Sequence, residues 1–319
     1  MFFIILSKSI LFFNIFVLLF IVVLTLTGCT KILKNNDKKV VQNTLTGQNL
    51  VENILCKPTD ENTLKLYREN NVDVDSLVDC KNFSVTSGGY EGIWTTIFVK
   101  PLAWIIIKIG NLVKNYGLSV IIVTLLIRMI LYPITKKTAL QSENMKKAKP
   151  ELDKLEKKYK NRQDNEAQIQ KSQEMMMIYK KNGINPLSGC LFSFIQIPLF
   201  FAFYEAMNRI PALFEENLLG FQLGTSPLTA MSNGKFYYII FIILVIATTY
   251  YSFKLNSTAS MSSDQEKQMK MMSNISIIFI SIASFTISTG IALYWIFNSG
   301  FTILQNLLVK RSKKNANVI

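Results

Sequence analysis

Five internal stretches of 18 to 21 residues dominate the chain: Gly117–Ile134, Leu187–Met207, Phe236–Phe253, Met271–Ser288 and Ile291–Val309. Together they hold only two charged residues, Arg128 and Glu205. A helix crossing a hydrocarbon core of about 30 Å needs roughly 20 mostly apolar residues. Neither a loop nor an open sheet edge can lie exposed in lipid. The pattern predicts an all-α, polytopic membrane protein with five core transmembrane helices. The last two stretches are separated by Thr289-Gly290 alone, which predicts a tight antiparallel hairpin.

Orientation follows from where the short connections keep Lys and Arg. Segment 135–186 carries 13, segment 254–270 three and the tail after Val309 four, whereas 208–235 carries two and 289–290 none. The bias places the first group and the C-terminus in the cytoplasm and residues before 116 outside it. The net charge of +14 reads first as topology, with ribosomal contact as the secondary reading and no DNA partner expected.

The first 28 residues hold an apolar run whose only charge is Lys8, followed by Leu26-Thr27-Gly28-Cys29. This resembles a bacterial lipoprotein signal peptide, with Cys29 as the acylated (palmitate-type) first residue of the mature chain. An uncleaved anchor helix is the other reading. Residues 29–90, rich in Asn and Lys, are expected to be an exported polar tether with little apolar material for a core. Cys56 and Cys80 in that location leave a disulfide and two free thiols both open. Residues 91–115 combine Trp94, Phe98 and Trp104 with Lys100, Lys108 and Lys114, as an interfacial amphipathic helix would. Lys100-Pro101 is expected to break or kink it, and a sixth span is the alternative.

Arg128 is the sharpest polar signal. It sits about 16 Å along the first helix, and on insertion scales costs at least about 2.5 kcal/mol. Thr124 and Thr135 share its face, which favours a hydrated cavity over an arginine that snorkels to the interface. Matching faces recur: Ser193 and Gln196 in the second span, Asn274, Ser281, Ser284 and Ser288 in the fourth, and Trp295, Asn298, Thr302 and Gln305 in the fifth. Ordinary interhelical hydrogen bonding accounts for the small residues. Arg128, Gln196 and Gln305 ask for more, and a positive groove suits a polypeptide segment or a small anion equally.

Segment 136–185 reads as a cytoplasmic helical hairpin. Pro150 stands in a first turn, Leu152, Leu155 and Tyr159 share a face, residues 161–165 form the tip, and Asn182-Gly183 ends the return. Met175-Met176-Met177 put flexible thioethers at the cytoplasmic mouth. With no histidine, no paired Cys motif and no GxxxxGK[ST] loop, His-based catalysis, a zinc knuckle and nucleotide-driven work are unsupported, so neither an enzyme nor a cofactor or metal is expected.

The run Tyr116-Gly117-Leu118-Ser119-Val120 through Arg128 to Tyr132-Pro133-Ile134-Thr135 resembles the first core helix of YidC-type membrane-protein insertases (the YidC/Oxa family). Gln196-Ile197-Pro198-Leu199-Phe200 and Ala292-Leu293-Tyr294-Trp295 with Gln305 resemble the second and fifth. The likeness spans about 91–310, and the lipoprotein-like start resembles the Gram-positive branch. It implies five core helices, within 116–310, forming a hydrophilic groove open to the cytoplasm and lipid, in a bacterial plasma membrane. The implied activity is ATP-independent insertion and chaperoning of nascent membrane proteins, alone or with the Sec translocon. Arg128 would receive a client's polar tail, Gln196, Trp295 and Gln305 match groove or contact positions, and the hairpin would capture clients early. Implied partners are nascent membrane proteins, the Sec translocon, ribosome–nascent-chain complexes and lipid. Two departures from the family stand out: Ser299 occupies a position where it often has Asn, with Asn298 one residue earlier, and the basic tail 311–319 is short. A transporter and a purely structural assembly factor are the competing classes.

Overall fold

The computed structural model describes residues 30–162, 164–185, 188–256 and 263–316, with side chains at 188–195, 256, 263–269 and 313–316 set aside. The signal-like segment 1–28 and Cys29 lie outside the described residues. The helices are α1 (Glu61–Glu69), α2 (Thr95–Val113), α3 (Tyr116–Tyr159), α4 (Asn165–Lys181), α5 (Ser188–Asn208), α6 (Pro211–Glu215), α7 (Pro227–Ser232), α8 (Ile239–Asn256), α9 (Ser263–Ala283) and α10 (Thr289–Ala316). A two-residue hairpin, β1 (Asn217–Leu218) and β2 (Phe221–Gln222), is the only paired sheet among the described residues. The chain forms two compact units, one running to Tyr116 and including Phe200–Glu216, the other made of Gly117–Leu199 with the chain from Asn217 on.

In the first unit, the segment expected to be a polar tether is a small folded layer. Its apolar residues are few but converge: Leu33, Val41, Leu50, Val51, Ile54, Leu64, Tyr67 and Val74 form one buried cluster. Antiparallel bridges Ile32–Val51, Lys34–Val40 and Gln42–Asn49 fold the start of the layer back on itself. Asp60 caps α1 by accepting from the Thr63 amide, and Glu215 of α6 accepts from the Thr59 amide at 3.0 Å. Cys56 and Cys80 are disulfide-bonded. The chain does not break at Lys100-Pro101: a wide π turn over Thr95–Val99 leads directly into the α-helix that begins at Lys100. Pro101 falls in the first turn of that α-helix, where its missing N–H costs little.

In the second unit α3 runs unbroken for 44 residues. Pro150, expected to start a new helix, lies inside it on the exposed side. The far half of α3 packs Met145, Ala148 and Leu152 against Tyr179 and Ile184, and Leu155 and Tyr159 against Ala167, so α3 and α4 form a helical hairpin. Asn182 caps α4, and Gly183 takes a φ of 61° there. The expected tight hairpin of the last two spans is corrected. α9 stops at Ala283, residues 284–288 form the link, and α8 packs closely against both α9 and α10. Ser284 and Thr286 end α9 by donating to the Ser281 and Ala283 carbonyls, which removes both Ser284 and Ser288 from the expected helical stripe. Met271, Met272, Ile275, Ile278, Phe279 and Ile282 of α9 stay exposed, an apolar face suited to lipid.

Candidate functional site

The polar residues of the first and fifth apolar stretches meet in two rungs. Arg128 of α3 donates from Nε to Asn298 Oδ1 of α10 at 2.7 Å. Seven residues on, Thr135 Oγ1 donates to Gln305 Oε1 at 3.0 Å. Seven residues is close to two helical turns, so both rungs fall on one face of each helix. Their numbering rises together, and the two helices therefore run parallel. The start of α10 is fixed by the Thr289 amide, which donates to the Thr225 carbonyl, and by the Gly290 amide, which donates to the Leu223 carbonyl. Gly117 lets Leu218 and Leu223 approach the start of α3; a Cβ there would lie 2.7 Å from a Leu223 methyl.

Arg128 is 3 % exposed, and no ion pair to it occurs among the described residues. Asn298 gives the guanidinium an oriented acceptor without cancelling its charge. The side-chain amide of Asn298, rather than Ser299, therefore meets Arg128. Thr302 turns inward to its own helix, donating to the Asn298 carbonyl. Trp295 faces another neighbour: its Nε1 donates to Thr249 Oγ1 of α8 at 2.9 Å. Thr124 shares the face of Arg128 but donates to its own helix at Val120. Gln196 is half-buried on α5, and among the described residues no hydrogen bond joins it to Arg128, Asn298 or Gln305. The structure thus unites Arg128, Asn298 and Gln305 along one seam, and places Thr124 beside it without a direct contact.

Sequence reasoning missed a second polar assembly, within the other unit. Lys100 is fully buried, and its Nζ donates to the Ser87 carbonyl at 2.7 Å, to the Gly89 carbonyl, and to Glu91 at 3.2 Å. Glu91 also pairs with Arg209, which pairs with Glu205 one helical turn back at 3.3 Å. Glu205 accepts from Trp94 Nε1 at 3.0 Å. Two cations and two carboxylates alternate along this chain, so each buried charge has an opposite neighbour. Glu205, an isolated acid in the sequence, is answered by an arginine four residues later. That spacing was the one legible clue.

Residues 108–316 match the family described as 60Kd inner membrane protein. "Membrane protein insertase YidC" of Oceanobacillus iheyensis is 34% identical over 229 residues, covering 69% of this chain and 85% of its own. "Membrane protein insertase YidC 2" of Bacillus anthracis is 37% identical over 220 residues, covering 69% of this chain and 82% of its own. A solved structure described as an active YidC insertase with the first transmembrane domain resolved aligns at a TM-score of 0.42 and 20% identity, over 77% of this chain and 52% of that one.

Proposed function

The chain belongs to the 60Kd inner membrane protein family, and from that premise we propose that it inserts nascent membrane proteins into a bacterial inner membrane and helps them fold. The observation that carries the reading is Arg128, buried in a run, 117–134, that holds no other charge, and bonded to a neutral amide rather than a carboxylate. A charge held that way remains available to an incoming acidic or carbonyl-rich segment. The likeness of the relatives named as insertases supports the same reading.

The proposed chemistry is a lowered barrier rather than a reaction. Water beside Arg128, Thr135, Asn298 and Gln305 shortens the purely apolar path that a client's polar tail must cross. Burial of the client's apolar helix drives insertion at about 25 cal/mol per Å² of apolar surface, so no nucleotide is required. The membrane potential adds to the pull on an acidic tail moving outward. Gln196 and Trp295 line the client's path, Thr124 keeps the stripe polar, and the α3–α4 hairpin meets clients first. The reading further includes acylation at Cys29, an exported N-terminus, a cytoplasmic C-terminus, and action alone or beside the Sec translocon on ribosome-bound chains.

The test is reconstitution. Purified full-length protein in liposomes is given a ribosome-released single-span client, with and without ATP, and insertion is scored by protease protection. Insertion that depends on the protein and is indifferent to nucleotide is expected. Client-free ion currents with no insertion would overturn the reading in favour of a transporter.

A further inference from the structure

The disulfide joins two segments that each grip a different helix. On one side stands the irregular segment before Cys56. The Leu55 amide donates to the Arg209 carbonyl at 2.8 Å, and Arg209 Nε donates to the Asn53 carbonyl, so this segment holds the residue that follows α5 by both backbone and side chain. On the other side stands the short turn Cys80–Asn82, which packs on α2; there Asn111 Nδ2 donates to the Lys81 carbonyl at 3.4 Å. The two sides also meet through the Lys57 amide and the Val78 carbonyl at 2.9 Å. Cys56 and Cys80 are both buried, at 0% and 4% exposure. Beyond the turn the chain carries Glu91 to Arg209 and Lys100, closing a ring of contacts from α5 through the disulfide to α2 and back.

We infer that oxidation of Cys56 and Cys80 is the assembly step that locks α2 to the outer end of α5, and that Arg209 transmits the lock. The inference rests on the exported placement of residues 30–90 proposed above. The step needs an exported oxidoreductase that itself bears a disulfide. A Cys56 or Cys80 thiolate attacks that disulfide and forms a mixed disulfide. The second cysteine's thiolate then displaces the oxidoreductase, which leaves with two thiols and the two electrons, while the cysteines have lost two protons and gained an S–S bond. Burial of both sulfurs slows attack by other thiols, so the bond once formed persists until a strong reductant is supplied.

The test uses the full chain in lipid nanodiscs and reads amide hydrogen exchange. In C56S/C80S, exchange at 53–57 and at 205–210 is expected to rise on the order of 100-fold, the scale set by closing a loop of this length, with the α3–α4 hairpin unchanged. If that variant does not accumulate, wild type reduced after purification gives the same readout. Arg209→Lys, with the disulfide intact, is expected to loosen 53–55 and 205–210 alone. Faster exchange at 53–57 with 205–210 unchanged would overturn the lock, since the disulfide would then staple only the exported layer. Unchanged exchange at 205–210 in Arg209→Lys would overturn the role of that residue. Both thiols open to maleimide in intact cells would overturn the oxidation step itself.

Discussion

A guanidinium carries five N–H donors in a fixed fork, and Arg128 directs its Nε donor at Asn298. Asn298→Ala removes that acceptor and leaves the buried charge to water or client, so insertion is expected to fall while the variant still accumulates in the membrane. Quantitative blotting and a protease-protection assay separate the two effects. The second rung is a stability matter. Thr135→Val leaves the buried Gln305 oxygen without its donor, at a cost of about 1–3 kcal/mol. A lowered unfolding temperature in detergent, followed by tryptophan fluorescence, would register it; no shift would mean that the rung contributes nothing. Arg128 itself was legible because any charge in so aliphatic a run invites a reason. Its partner was legible only as one residue of a stripe, since spacing gives a face and not the neighbour across it. Lys100 and Arg209 were not legible as a buried pair, because each looks from its local sequence like an ordinary boundary lysine or loop arginine.

Elements were legible where periodicity or length is extreme. The apolar stretches fall largely on helices, with residues 284–288 of the fourth forming a link instead, and the hairpin's apolar face is the one that packs. Punctuation is less legible: Pro150 suits a first turn, yet the 44-residue α3 absorbs it on an exposed side where the lost hydrogen bond is open to water. The folded layer before α2 is not legible in the sequence because its apolar residues come from short bridged segments with neither helical nor strand periodicity. On α4, the buried Tyr179 hydroxyl has no hydrogen-bond partner among the described residues, and burial pushes the phenol up to about 12. Tyr179→Phe is therefore expected to leave the hairpin's stability unchanged or raise it by about 1 kcal/mol, measured as amide exchange along 167–181. In the folded layer before α2, hydrogen bonds from Arg68 and then Lys57 hold the Asp75 carboxyl well below the usual carboxylate range. A carboxyl depressed on folding stabilises above its unfolded pKa. Its contribution is complete above about pH 5 and shrinks as pH falls below about 4. Exchange across 57–76 should quicken below that range in wild type and lose this dependence in Asp75→Asn.

For the whole molecule, α3 and α10 run parallel, as the two rungs between them require. The central claim is that positive charge on this seam drives insertion. Its most direct measurement is complementation in cells depleted of their own insertase, comparing wild type, Arg128→Ala and Arg128→Lys at equal membrane abundance, with a small single-span client scored by protease accessibility. Rescue by wild type and by Arg128→Lys, with Arg128→Ala failing, is the expected result. Equal rescue by all three would contradict the account and move the activity to the cytoplasmic hairpin and the apolar helix faces.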